Sequence, residues 1–215
     1  MAPTSADLVR ASLQGDLTEV RRLVDAGADV NGTDRHGMGP LLTFETSIIE
    51  FLLSRGADPD QQTNENGAPV LVGIAYMNHV ACVRTLLAGG ADPNLAHPET
   101  GETALHSSLS KPEGDVVAAD RYCVVKLLLD AGADPNRCTT AGAATMAFWR
   151  DVRTRGETPL HRAAAFAAEN TIRLLIEAGA DKSLRDANGD SPRSWASWHW
   201  RPKTLIDSLA DEPGE

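Results

Sequence analysis

The residues of this chain best equipped for chemistry are its six histidines and three cysteines, and neither set has the spacing that catalysis or metal binding needs. No two histidines stand at metal-ligand separation. His106 and His161 close two related phrases, Thr103-Ala104-Leu105-His106 and Thr158-Pro159-Leu160-His161, while His36, His79 and His97 fall at turns or helix junctions and His199 lies among tryptophans. Cys82, Cys123 and Cys138 are odd in number and form no Cys-x-x-Cys pair, so neither a disulfide framework nor a zinc site is indicated. Cys82 takes an apolar helix position that Ile48 and Val124 hold elsewhere, and no neighbour of Cys123 in sequence would activate its thiol. A glycine-rich phosphate loop and a nucleophile elbow are both missing from the sequence. The expectation is a non-enzyme with no catalytic residue, no cofactor and no metal.

What does recur is a turn. Gly27-Ala28-Asp29-Val30-Asn31, Gly56-Ala57-Asp58-Pro59-Asp60, Gly90-Ala91-Asp92-Pro93-Asn94, Gly132-Ala133-Asp134-Pro135-Asn136 and Gly179-Ala180-Asp181-Lys182-Ser183 each close an apolar run with helical periodicity. Five aspartates at one place in a repeated phrase serve turns rather than acid–base work. A 215-residue chain that repeats one phrase five times is a stack of similar units, not a globule around one centre. The 42% hydrophobic content supplies a continuous core, and 5% aromatics make it a core of Ala, Leu and Val.

The most regular unit shows how such a phrase must be positioned. Thr158 can cap a helix whose first turn holds Pro159, with Leu160, Ala163 and Ala164 on one face. A second helix follows, with Ile172, Leu175 and Ile176 on one face, and Gly179 ends it in the left-handed conformation that glycine adopts at little cost.

Gly-x-Thr-Pro-Leu-His-x-Ala-Ala, then an apolar second helix, then Gly-Ala-Asp-x-Asn, resembles the ankyrin-repeat family, over roughly residues 6–209. The resemblance implies an all-α solenoid of antiparallel helix pairs joined by projecting turns, with five recognisable repeats and a C-terminal cap. It also implies that the imidazoles of His106 and His161 hydrogen-bond neighbouring turns. The units are expected at about 5–33, 34–63, 64–97, 98–138 and 153–185, with a cap at 186–209, an inserted finger at 139–152 and an acidic tail at 210–215. Trp195 and Trp198, at helical spacing, are expected to close the end of the core.

Three departures from the family's 33-residue period stand out. Successive Gly-Ala-Asp glycines lie 29, 34, 42 and 47 residues apart. The second unit is short, and the loss is expected to fall in its inner helix near Pro40–Phe44. The fourth carries extra residues, with Pro112 and Gly114 to stop a helix. Between Asn136 and Gly156 lie 14 residues more than the regular spacing. In such stacks insertions sit in loops and are candidate sites of function.

The resemblance implies a concave face that binds partners. Phe44, Tyr76, Met77, Arg162 and Phe166 are expected to face outward there, and Phe148, Trp149, Arg150, Arg153 and Arg155 to form an interface on the finger, since aromatics with arginine are enriched in hot spots. The expected function is protein–protein interaction through the concave face and the 137–155 finger, by a chain that is itself monomeric.

Charge narrows the alternatives. The net charge is −10 and the pI about 5.0, which disfavours nucleic acid and anionic membranes. It is uneven: residues 1–136 hold 9 Lys/Arg against 19 Asp/Glu, residues 137–203 hold 11 against 7. An inhibitor or immunity protein masking a basic enzyme is therefore one alternative. An enzyme or nucleic-acid binder using the basic, Trp-rich C-terminal third is another. The sequence shows neither a signal peptide nor a run of membrane-spanning length, so a cytoplasmic setting is expected.

Overall fold

The computed structural model describes residues 3–62, 67–111, 118–145 and 153–210. Its helices are α1 (Ser5–Leu13), α2 (Leu17–Asp25), α3 (Thr46–Ser54), α4 (Val70–Tyr76), α5 (Val80–Ala88), α6 (Ala104–Ser108), α7 (Ala118–Asp130), α8 (Pro159–Phe166), α9 (Glu169–Glu177), α10 (Pro192–Trp198) and α11 (Lys203–Ser208). Two isolated antiparallel bridges, Gln62 to Pro69 and Ala144 to Arg153, are the β structure among the described residues.

The helices form two layers. Inner helices α4 and α6 pack together, as do α8 and α10, while α2, α3, α5, α7 and α9 stack in order as the outer layer. Several starts are capped by the residue before them. Thr4 accepts from the Asp7 amide at 3.2 Å while Asp7 accepts from the Thr4 amide, a reciprocal capping box. Asp16 caps α2 at 2.9 Å and Ser191 caps α10 at 3.2 Å. One side-chain cluster runs from Leu8 to Leu209 through fully buried Ile48, Ile74, Leu105, Leu128 and Leu160. Each such side chain contributes about 1.5–3 kcal/mol by leaving water.

The repeated turn holds the units to each other. Asp134 Oδ1 accepts from the Asn136 amide at 2.8 Å, which closes an Asx turn. Asn136 then reaches into the next unit, donating to the Gly179 carbonyl at 2.9 Å and accepting from the Asp181 amide at 2.8 Å. Asn94 does the same to Gly132 and Asp134, and Asn31 to Gly56 and Asp58. Asp60 has no amide to donate, and only accepts, from the Asp92 amide at 2.8 Å. The five aspartates and their partners are thus a ladder of staples between units. Gly179, at φ 92°, supplies the left-handed step that lets each helix run into this turn.

The histidine phrases fasten the inner side similarly. His106 Nδ1 meets the Thr103 hydroxyl at 2.9 Å, and its Nε2 meets the Glu157 carbonyl of the next unit at 3.2 Å. His161 pairs with Thr158 at 2.8 Å and with the Asp190 carbonyl at 3.0 Å.

The second unit departs further from the pattern than its length implied. Not one turn but the whole inner helix is lost: residues 40–45 run as turns and bends before α3. Leu41 still fills the core, and the Thr43 hydroxyl donates to the Ser12 carbonyl at 2.9 Å to moor the segment to α1. The end cap also differs in part. Trp195 is buried, with its indole N–H on Asp186 at 3.1 Å, but Trp198 is half exposed and Trp200 almost wholly so. Only one of these tryptophans closes the core.

Candidate partner-binding surface

The missing inner helix leaves a step on the inner face. Across it lie Leu13, Phe44 and Met77, exposed by 51%, 48% and 50%. Leu13 ends α1 and Met77 follows α4, and Phe44 and Met77 are each held by the next unit along. The Phe44 ring lies 5.5 Å from that of His79. Asn78, at φ 52°, donates to the Ser108 carbonyl at 3.2 Å and fixes the turn that carries Met77. Lys111 Nζ sits 4.2 Å from the centre of the Tyr76 ring and 3.6 Å from Met77 Sδ. Tyr76 is half-buried beneath that ammonium.

Arg162 corrects an expectation. It is fully buried and does not face a partner. Its guanidinium lies 2.5 Å from Glu157 Oε1 and 2.7 Å from Glu102 Oε1, and it also donates to Ser110 Oγ at 2.7 Å. The cause is general to the position after the Thr-x-Leu-His phrase. Ser107 and Trp195, at the matching places, are buried too, because this position faces the preceding unit. Ala165 and Ser110, three residues further along in their units, are buried as well.

The same two carboxylates anchor the base of the insertion. Glu157 Oε2 accepts from the Thr139 hydroxyl at 2.7 Å and the Arg155 amide at 2.6 Å, and Glu102 Oε2 accepts from the Thr145 hydroxyl at 2.8 Å. Main-chain bonds join the outgoing and returning limbs, Gly142 to Thr154 at 2.7 Å and Thr154 to Ala143 at 2.9 Å. Burial pushes the Glu157 carboxyl up, but Arg162 and the donors around it outweigh this and bring its pKa down to about 2. Glu102 is lowered in the same way, with Arg162 outweighing burial. Burial and the Arg162 charge hold His106 down at about 3. Phe148, Trp149 and Arg150, expected on this finger, lie outside the described residues.

Arg153, Arg155 and Phe166 come together. They line a cleft of about 220 Å³ with Glu157, Trp195, Trp198 and His199. Arg121 and Arg201 clamp the carbonyl end of α8, which carries Phe166: Arg121 donates to the Phe166 carbonyl at 2.8 Å and Arg201 to the Ala165 carbonyl at 3.1 Å. The Phe166 ring then meets the His199 ring edge-on at 4.8 Å. The Arg155 guanidinium stands 5.9 Å from both the Trp195 and Trp198 rings. Trp198 and His199 were not expected here. The signal for them was available: counted from Ser191 as from Thr158, they fall where Ala165 and Phe166 fall in the fifth unit.

These features define a stack of two-layer helical units, stapled by Asx turns and offering one continuous inner face. A family model of ankyrin repeats matches residues 43–139 and 116–213, in three copies, and the chain belongs to the ankyrin-repeat family. Ankyrin repeat and SOCS box protein 16 of Mus musculus is 30% identical over 219 residues, covering 96% of this chain and 44% of that protein. Palmitoyltransferase ZDHHC13 of Mus musculus is 26% identical over 212 residues, covering 90% of this chain and 34% of that protein. The chain spans about a third or less of the first relatives it matches, and the palmitoyltransferase name is said of a far longer protein. Among solved structures, a chain of the complex of Bd0816, a predatory endopeptidase from Bdellovibrio bacteriovorus, with immunity protein Bd3460 superposes with a TM-score of 0.73. It is 22% identical, over 96% of this chain and 97% of that one, a likeness of fold. As an ankyrin-repeat stack the chain is a protein-interaction module. No helix among the described residues is long and apolar enough to cross a membrane.

Proposed function

We propose that this chain binds a partner protein along its inner face, at the step left by the second unit, with the 137–155 insertion as a flanking contact. The observation that carries the reading is the row of Leu13, Phe44 and Met77, each about half exposed along the inner face where the second unit has no inner helix. Single exposed apolar residues are ordinary, whereas three in a row along one face mark an interface. Cys82 is buried and Cys123 and Cys138 are exposed and free, which fits a reducing, cytoplasmic setting.

The test is capture from the source lysate by wild type and by a Phe44→Ser/Met77→Ser variant of equal melting temperature. Loss of the captured protein with the variant supports the inner-face reading, and equal capture removes it. A second variant shortens only 146–152, because Thr139 and Thr145 are tied into Glu157 and Glu102 and their replacement would disturb the stack.

A second reading, an inhibitor or immunity protein that masks a basic enzyme, is favoured by charge. The step lies within residues 1–136, which hold 9 Lys/Arg against 19 Asp/Glu. Such a complex would form fast at low ionic strength and slow steeply with salt. An association rate indifferent to salt removes this reading and leaves the first.

A further inference from the structure

We infer that the cleft between α8, α10 and the returning limb of the insertion receives an extended acidic segment of the partner protein, with one apolar side chain of that segment seated against Phe166 and Trp198. The inference rests on the reading that the inner face binds protein, and adds a second contact of opposite charge to the step.

Three observations converge on this occupant. The first is shape. The cleft is a hollow of about 220 Å³, room for one or two side chains, between aromatic rings. Trp198 stays half exposed at its edge, and Phe166 is half-buried within it. The second is charge. The rim carries Arg153 and Arg155, and among the described residues neither has a carboxylate partner. Glu157 lines the cleft but is engaged by Arg162, Thr139 and the Arg155 amide, so it does not neutralise the rim. A cationic rim on a protein of net charge −10 repels basic segments locally and attracts acidic ones. The third is stiffness. Arg121 and Arg201 fix the end of α8, and Trp195 is tied to Asp186, so the walls are built before a ligand arrives.

The chemistry selects between kinds of ligand. A bare anion would satisfy the guanidiniums but leave the aromatic walls in water. An apolar side chain alone would leave Arg155, already over two indole rings, without a counter-charge. A segment with Asp or Glu beside Leu or Phe satisfies both, and arginine pairs with carboxylates through a planar fork.

The experiment uses the full chain and a random 12-residue peptide library displayed on phage. Selection is run on wild type, on Arg155→Gln, on Arg153→Glu/Arg155→Glu, on Trp198→Ala and on Phe44→Ser/Met77→Ser. Arg155→Gln keeps the main-chain bonds of that residue and guards against misfolding in the double variant. The expected result is enrichment of Asp and Glu around an aromatic or leucine. The best synthetic peptide should bind at least ten-fold more weakly to the Arg155 and Trp198 variants, unchanged to Phe44→Ser/Met77→Ser, and more weakly as salt rises. Neutral or basic consensus sequences, or no enrichment, overturn the inference. Tighter competition by a 20-residue oligothymidylate than by the peptide overturns it in favour of base stacking. A dimer of this chain dissolved by Arg155→Gln overturns it in favour of self-association. Peptides lost only with Phe44→Ser/Met77→Ser refute the cleft and keep the inner-face reading, whereas peptides lost with none of the variants refute both.

Discussion

The step at the second unit and the junction between the fourth and fifth are opposite departures from one repeat, and they leave opposite surfaces. At the step, chain has been removed. Residues 40–45 supply Leu41 to the core but no inner helix, and Leu13, Phe44 and Met77 stay half in water. At the junction, chain has been added. Extra backbone brings amides and carbonyls that must find partners. It also covers two glutamates that otherwise would sit at a solvated turn. The result is a buried cluster of Glu102, Glu157 and Arg162, moored by Thr139, Thr145 and Ser110. Deletion exposes apolar surface, and insertion buries charge. The stack tolerates both because its two fastenings, the outer core and the ladder of turns, run through each site: Asn31 reaches Gly56 before the step, Asp60 accepts from the Asp92 amide after it, and Asn136 reaches Gly179 across the insertion.

The sharpest way to break this contrast is to remove the cation at the junction. Arg162→Leu leaves two buried carboxylates without their counter-charge, and we expect a loss of about 3–5 kcal/mol in urea unfolding. Arg162→Leu combined with Glu102→Gln and Glu157→Gln should recover most of it, since neutral amides carry a far smaller penalty. A loss under about 1 kcal/mol for the single variant would mean that the cluster is solvated and that the insertion does not cover it.

Acid should act at the same junction. His106 is held neutral, near a pKa of about 3, and His161 is lowered by burial, so below the ordinary histidine value of 6.5 the unfolded chain binds protons that the fold does not. Stability is full above that value and falls as pH drops through 6.5. Below 4.5 Glu157 and Glu102 add to the slope, because their carboxylates are favoured in the fold, Glu157 down to about 2. Each group contributes at most about 1.4 kcal/mol per pH unit. Urea midpoints at pH 7.5, 6 and 5 should decline in that order, and a flat series would contradict the burial of the two imidazoles.

The stack was legible in the sequence because its fastenings are local and repeated. Thr-x-Leu-His caps and Gly-Ala-Asp-x-Asn turns are spelled within one unit. Their second role, as bonds to the neighbouring unit, was implied for His106 and His161 by resemblance and missed for Asn31, Asn94 and Asn136. The site was less legible, since which side of an inner helix is covered depends on the neighbouring unit. Arg162 looks like a surface arginine in sequence; it is inside because its position faces the preceding unit, whose Glu102 and Ser110 join Glu157 in pairing it. The fate of residues 40–45 has the same origin. Periodicity cannot tell a helix one turn short from no helix when Leu41 can fill the core either way.

The ladder offers a finer comparison. If both irregular sites keep it intact, Asn31→Ala and Asn136→Ala should each cost about 1–2 kcal/mol, the worth of two hydrogen bonds. A much smaller loss at Asn136 would mean that the insertion carries the fifth unit on its own. Asp60→Asn should instead gain about 0.5–1 kcal/mol, by restoring a donor toward the Gly90 carbonyl that the other rungs possess.

The smallest expected change tests the other half of the contrast. Phe44→Ser and Met77→Ser remove side chains that are already about half in water and belong to no part of the continuous core. Each should shift stability by no more than about 0.5 kcal/mol, as surface substitutions do. Set beside a loss of several kcal/mol at Arg162, that near-silence would place the apolar step outside the folding core and leave binding as the property its side chains serve. A loss above about 1.5 kcal/mol would mean instead that the chain closes over the step, with Phe44 packed where the missing helix would have been.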